Sequence, residues 1–433
     1  MSDVLLRPDY GGPVGGREYA PRAAAAVPGP WGRPSARIAV LAIGLSCFGL
    51  VMVASAAGTR GFMSAAVKRL AITGAGLVAF AVAARLDYHW WRRHSLALAA
   101  GSLALLVAVL LPGVGAQING AQRWINPGLP VGFQPSEFAK LGLIAWTAAY
   151  CERNIGRMRS PWAGFLLPVG VVGLASLLVL AEPDFGTAVL LGAVCTTVLV
   201  VFGTRLIYLV FAGAALFPLA RKLVFDVPYR MQRIVAFLDP WKDPQGSGYQ
   251  LIQSKIAIGT GGIYGRGLGA GLQKAGFLPS ADNDFIFSIV CEELGFIGAL
   301  GLIIAFLIFL WEAMKVVMRS RDPFAFGLSL GLAWLIGMQA AAHVAVVTGT
   351  VPTKGLSLPF ISAGGSSLIV SMTAAGILVS IARSEERSDA LPRPWQDDIP
   401  VYEQLARRVL TALPLPHWAR PAGSSEQHMG DDL

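Results

Sequence analysis

Asp284 is the residue whose setting best suits base chemistry. It lies in Phe277-Leu278-Pro279-Ser280-Ala281-Asp282-Asn283-Asp284-Phe285-Ile286-Phe287, where a long polar segment runs into an apolar one. Desolvation at such a boundary raises a carboxyl pKa, while the positive end of a helix lowers it. A general base needs the first effect to be substantial. The same place suits a helix cap, and Ser280, Asp282, Asn283 and Asp284 all have the chemistry for it. Asp282 is a second acid two residues away, so the choice of base between the two stays open on sequence.

Other polar residues fall into short runs. Asn119-Gly120-Ala121-Gln122-Arg123-Trp124-Ile125 is followed by Gln134-Pro135-Ser136-Glu137-Phe138-Ala139-Lys140. Arg123 has the planar fork that holds phosphate through two hydrogen bonds, and Trp124 suits either a membrane interface or stacking on a sugar. Glu137 and Lys140 are neighbours on a helix, so a buried structural pair competes with a functional one. Glu182-Pro183-Asp184-Phe185-Gly186-Thr187 reads as a tight turn with two carboxylates. Lys354, in Thr350-Val351-Pro352-Thr353-Lys354-Gly355, is either a solvated loop lysine or a point charge for an anionic headgroup. Gly364-Gly365-Ser366-Ser367 opens an apolar run, where small residues allow close helix packing. Glu292 and Glu293 are expected about 12–14 Å further along the helix that Asp284 precedes, at the usual rise per residue. Ionisable groups at that depth face a cavity or a partner.

These residues must be positioned by membrane helices. The chain has 433 residues, of which 54% are hydrophobic and only 14% charged. Its mean hydropathy of +0.58 and repeated apolar runs near membrane length point to a bilayer. About ten spans are expected, near 36–57, 70–85, 94–111, 136–151, 162–180, 186–202, 206–219, 285–314, 325–348 and 361–382. The fold class is therefore an all-α polytopic membrane protein, with a large extracytoplasmic loop at 220–284 between spans 7 and 8. Residues 1–35 read as a disordered cytoplasmic tail, 36–385 as the transmembrane domain and 386–433 as a second cytoplasmic tail.

Basic residues set the orientation. Arg92, Arg93, Arg153, Arg157, Arg159, Arg205, Lys315, Arg319 and Arg321 share one side, as the positive-inside rule requires with both termini in the cytoplasm. Two outer loops break that rule: a short one with Arg60, Lys68 and Arg69, and the long 220–283 loop with Arg221, Lys222, Arg230, Arg233, Lys242, Lys255, Arg266 and Lys274, whose length lets it translocate largely regardless of charge. The net charge of +9 is accounted for by this pattern, without nucleic acid. All the polar runs, at 113–140, 181–187, 220–284 and 348–367, then fall on the outer face. Cys47, Cys151, Cys195 and Cys291 lack metal-like spacing and read as small buried hydrophobes. Gly265-Arg266-Gly267-Leu268-Gly269-Ala270 partly matches a dinucleotide fingerprint, but no strand–helix–strand context surrounds it.

Taken in order, the motifs resemble the SEDS family of polytopic cell-wall polymerases. They are Gln-Arg-Trp-Ile, Gln-Pro-Ser-Glu with Lys140, Pro-Asp-Phe-Gly-Thr, Phe-Leu-Asp-Pro with Gly-Tyr-Gln, Asp-Phe-Ile-Phe with Glu-Glu-Leu-Gly, and Leu-Pro-Phe-Ile-Ser with Gly-Gly-Ser-Ser. Pro352-Thr353-Lys354-Gly355 looks more like the division-associated FtsW branch than the RodA branch. The resemblance implies glycosyl transfer on lipid II at the outer face of the bacterial inner membrane, for septal wall synthesis. A lipid II flippase and a non-catalytic division scaffold are the alternatives. It implies Asp284 as the base; Arg123, Trp124, Glu137, Lys140, Lys354, Ser366 and Ser367, which lie in the matching motifs, are read here as substrate contacts. A divalent cation, Mg2+ or Mn2+, would suit the pyrophosphate, and no organic cofactor is expected. The implied partners are a class B penicillin-binding transpeptidase, other divisome proteins and membrane lipids. The sequence departs from the family pattern at Asp282-Asn283, at Ala363 and at His343, the last read as a packed polar residue.

Overall fold

A computed structural model describes residues 32–118, 121–125, 132–225, 228–390, 401–403 and 405. Most of both expected tails, and Asn119 and Gly120, lie outside the described residues. The described residues are mostly helical: α1 Pro34–Ala56, α2 Gly58–Arg85, α3 Tyr88–Arg93, α4 Ser95–Leu110, α5 Pro135–Arg153, α6 Leu167–Ala181, α7 Phe185–Val201, α8 Leu206–Phe225, α9 Pro228–Leu238, α10 Tyr249–Gly261, α11 Ile286–Arg319, α12 Pro323–Thr348 and α13 Gly365–Ala390. A hairpin of β1 Gly115–Ile118 and β2 Ala121–Ile125 joins α4 to α5.

Each expected apolar run overlaps a helix. Among the described residues, six helices are long and apolar enough to cross a membrane: α1, the part of α2 from Ala66, the segment Trp162–Ala181 that ends in α6, α11, α12 and α13. Shorter apolar helices, among them α4 and α7, complete the bundle. The protein is a multi-pass membrane protein. Its centre is α5, nearly all of whose side chains are buried against α4, α7, α12 and α13. Its rim is apolar: Leu300, Ile304, Leu307 and Trp311 form an exposed stripe along α11, as lipid contact requires.

The structure departs from the sequence-based expectations in three places. The segment 220–284 is no simple loop, since it carries α9 and α10. α10 packs on α11 and α12, where Ser254 Oγ donates to the Val347 carbonyl at 2.7 Å. Its apolar residues do not continue for a membrane's width, which is why sequence alone reads as loop.

The expected run 361–382 starts too early, because 356–364 is irregular backbone and α13 begins at Gly365. Irregular backbone at such depth is tolerated only when other protein groups satisfy it.

Finally, α11 is broken at Gly295, which adopts φ 67° and ψ −166°. That conformation is open to glycine and strained for other residues. The break is closed by the loop after α10. Phe296 and Ile297 N–H groups donate to the Gly262 and Ile263 carbonyls, while Arg266 and Gly267 N–H groups donate to the Glu292 and Glu293 carbonyls. Glu292 and Glu293 thus precede the break rather than lying deep in an unbroken helix. The Glu292 carboxylate accepts from the Leu272 and Gln273 N–H groups. Glu293 pairs with Lys274 at 2.7 Å and accepts from Ser55 of α1. Both glutamates pin the segment between α10 and α11 to the bundle.

Candidate active site

The separate polar runs meet at one end of the bundle. Asp284 lies just before α11, whose N-cap is Phe285, and no side chain caps that helix. Its carboxylate is therefore not spent on capping. It accepts from Asn283 Nδ2 at 2.9 Å and lies beneath the loop that precedes α13. A methyl group added at Gly355 would sit 2.8 Å from Asp284 Oδ2, so any larger residue there would have to push the carboxylate aside. Burial pushes the Asp284 pKa up to about 6, although Arg123 and Arg233 pull it down; Asp184 and Asp282 add to the rise. Asp282 is exposed, which separates the two acids that sequence could not rank.

The cationic side of the site comes from three segments. Arg123, on β2, reaches within 4.0 Å of Asp184, the N-cap of α7. Asp184 accepts from the Thr187 N–H and hydroxyl, so the tight-turn expectation holds for its capping role. Lys354 stands over the Phe185 ring at 4.3 Å, and burial holds its pKa down against the opposing effect of Asp184. Arg233, on α9, donates to the Thr353 carbonyl at 3.3 Å. Glu182 is completely buried at the end of α6, and neither carboxylate oxygen has a hydrogen-bond partner. Burial raises its pKa to about 8, helped by Asp184 and opposed by Arg123, so it is a neutral acid at pH 7.

The other sequence candidates lie around this centre. Glu137 and Lys140 form a buried ion pair at 2.8 Å, and Lys140 donates to Gln339 at 3.0 Å. Gln339 Nε2 in turn donates to the Ser357 carbonyl at 2.9 Å, and Ser357 donates to Ser367 at 2.6 Å. Ser366 accepts from the Gln134 N–H and donates to the Gly132 carbonyl. These residues tie α5, α12 and the start of α13 together beneath the loop. Trp124 follows Arg123 on the strand, so it points to the other face and lies over Gly132. His343 is fully buried, with Nδ1 donating to the Leu356 carbonyl at 2.6 Å.

Among the described residues, no three carboxylate, imidazole or thiol groups converge on one point. Asp184 and Asp284 are faced by Arg123, Arg233 and Lys354 instead. The described donors at this site therefore do not make a protein-only centre for a divalent cation.

The profile of the FTSW_RODA_SPOVE cell cycle protein family matches residues 36–387. The chain belongs to the FtsW–RodA–SpoVE family. One relative, the probable peptidoglycan glycosyltransferase FtsW of Trichlorobacter lovleyi, is 44% identical over 79% of this chain and 91% of its own. Stage V sporulation protein E of Bacillus subtilis is 36% identical over 81% and 97%. Among solved structures, a peptidoglycan synthase complex that coordinates polymerization and crosslinking matches with TM-score 0.68 and 27% identity, over 80% of this chain and 97% of that one. The rod shape determining protein RodA of Thermus thermophilus matches with TM-score 0.60 and 25% identity, over 80% and 96%.

On sequence Arg233 reads only as a loop charge and Glu182 only as a turn residue, yet both stand at this site. Contacts that join distant segments leave no local periodicity to read.

Proposed function

We infer that this family member is a peptidoglycan glycosyltransferase that polymerises lipid II into β-1,4-linked glycan strands. Asp284 takes the proton from the acceptor sugar hydroxyl as its oxygen attacks the anomeric carbon of the donor. The bond from that carbon to the pyrophosphate oxygen breaks, and undecaprenyl pyrophosphate leaves with the electron pair. Arg123 and Lys354 meet the pyrophosphate charge, the first through its two-donor fork and the second as a point charge. Glu137, Lys140, Ser366 and Ser367 hold the loop beside Asp284 in place, and Trp124 flanks the site from β2. The observation that carries this reading is a half-buried carboxyl raised to about 6, free of capping duty, and faced by arginines from two separate segments, Arg123 of β2 and Arg233 of α9. A base with that pKa is ionised at neutral pH and still basic enough to accept a proton.

The cluster of Arg92, Arg153 and Arg321 contacts at the opposite end of the bundle supports an outward-facing site with cytoplasmic termini. The FtsW relatives favour action at the division septum. The likeness to a synthase complex that coordinates polymerization with crosslinking supports a class B penicillin-binding transpeptidase as partner.

The test is polymerisation of lipid II by the full chain in proteoliposomes, with the transpeptidase present. Asp284→Ala is expected to abolish polymer, while Asp282→Ala retains most of it. Wild-type polymerisation by Asp284→Ala would remove Asp284 as the base. Headgroup translocation without polymer, from the unmodified chain, would favour a flippase instead.

A further inference from the structure

Arg69 was the residue that fitted the charge map worst, and it is not a loop residue. It lies on α2, within the membrane-spanning part, and is 1% exposed. A guanidinium there is costly unless its donors are all but consumed. Its Nη2 donates to the Phe360 and Ile361 carbonyls, each at 2.9 Å, and its Nη1 to the Ser362 carbonyl. Three successive carbonyls of irregular backbone are thereby satisfied by one planar group. Phe360 has φ 66°, a left-handed conformation that a phenylalanine holds only when its surroundings impose it.

The same backbone grips the residues beside Asp284. Ser362 Oγ accepts from the Leu358 N–H and donates to the Asn283 carbonyl, both at 2.7 Å. The Ala363 N–H donates to the Asp282 carbonyl at 2.9 Å. Two hydrogen bonds thus hold the peptide groups just before Asp284, and both come from residues that Arg69 orients directly or adjoins.

We propose that Arg69 is a positioning residue for Asp284, acting through the 360–363 backbone and the carbonyls of Asp282 and Asn283. This rests on the reading of Asp284 as the base. Arg69 is a brace beneath the site, and the groups that act on the Asp284 carboxyl are Arg123 of β2, Arg233 of α9, Asp184 at the start of α7 and the neighbouring Asp282. Releasing the brace lets the Asp284 backbone shift toward water, which weakens its desolvation and misplaces it against the acceptor hydroxyl. Lysine cannot replace it fully, because a single ammonium does not match an arc of three carbonyls.

The test compares Arg69→Met, Arg69→Lys and Ser362→Ala in the full chain in proteoliposomes, with lipid II as substrate and the transpeptidase present. Arg69→Met is expected to lower kcat roughly ten- to hundredfold, the scale of a small misplacement of a reacting group. KM for lipid II is expected to stay within about twofold, because no substrate contact is lost. The acidic limb of the kcat profile is expected to move below its wild-type position near pH 6, because a better-solvated carboxyl ionises more readily. Arg69→Lys and Ser362→Ala should show the same shift with smaller losses of kcat, and they carry the test if Arg69→Met does not fold. An unchanged acidic limb in the folded variants overturns the proposal, since lost activity would then reflect only lost folded protein. Wild-type kcat and pH profile overturn it equally. An active Asp284→Ala would instead sink the underlying reading of the base, which separates the two failures.

Discussion

At the scale of single residues, the site depends on carboxyl groups whose pKa values are pushed apart. Asp284 is raised to about 6 and Glu182 to about 8, so near pH 7 one is ionised and the other protonated. Activity that needs ionised Asp284 should rise with pH through about 6 and be lost below it, which a kcat/KM profile between pH 5 and 8 would read. The same shift bears on stability. A carboxyl bound more tightly to its proton when folded loses stability as pH climbs from its unfolded value to its folded one. Asp284→Asn should therefore be inactive but more stable than the natural chain at pH 7, on the order of 2 kcal/mol after allowance for partial exposure. That gain should vanish near pH 4. Glu182→Gln keeps the neutral form and should retain most activity at pH 7. Its stability gain should grow between about pH 4.5 and 8 and then level off, and thermal unfolding across that range checks both variants. Asp284 itself was legible in the sequence, because a carboxylate at a polar–apolar boundary is a local pattern. Its freedom from capping duty was not, since that depends on where the helix begins to within one residue.

At the scale of elements, the segment between α10 and α11 is fastened to the bundle by buried charge. Lys274 and Glu293 are 8% and 0% exposed and 2.7 Å apart. Removing one partner strands the other, so Glu293→Gln should lower stability by about 3–5 kcal/mol. Replacing both, as Lys274→Met with Glu293→Leu, should recover most of that loss in thermal melts. Continued severe loss in the double variant would show that the pair is more than a fastening. The helices were legible because apolar runs of membrane length need no partner to be recognised. What sequence could not show is where a run is interrupted. The irregular backbone at 356–364 and the break at Gly295 are both made tolerable by groups from distant segments, Arg69 in one case and the 262–267 loop in the other. Single-sequence periodicity carries no trace of such partners.

At the scale of the whole molecule, the convergence of the polar runs at one end was legible from the charge map, because alternating spans force loop sides. Which residues touch was not. The orientation makes a direct prediction for a membrane-impermeant maleimide. Cys47 is the exposed cysteine among the four, so Cys47→Ser gives a quiet background. In that background Gln245→Cys should label in intact spheroplasts, while Arg93→Cys should label only after permeabilisation. The reverse pattern would place the site in the cytoplasm and exclude a polymerase acting on the outer face.

The seam that closes the break in α11 also bears on how the chain is made. An open pair of amides and carbonyls is tolerated poorly in hydrocarbon. The 262–267 backbone that satisfies Glu292 to Ile297 lies upstream of them, so it has left the ribosome before the broken helix follows. The insertion machinery can thus release α11 to lipid with its gap already matched, and a circular permutation that reversed this order would have to expose it.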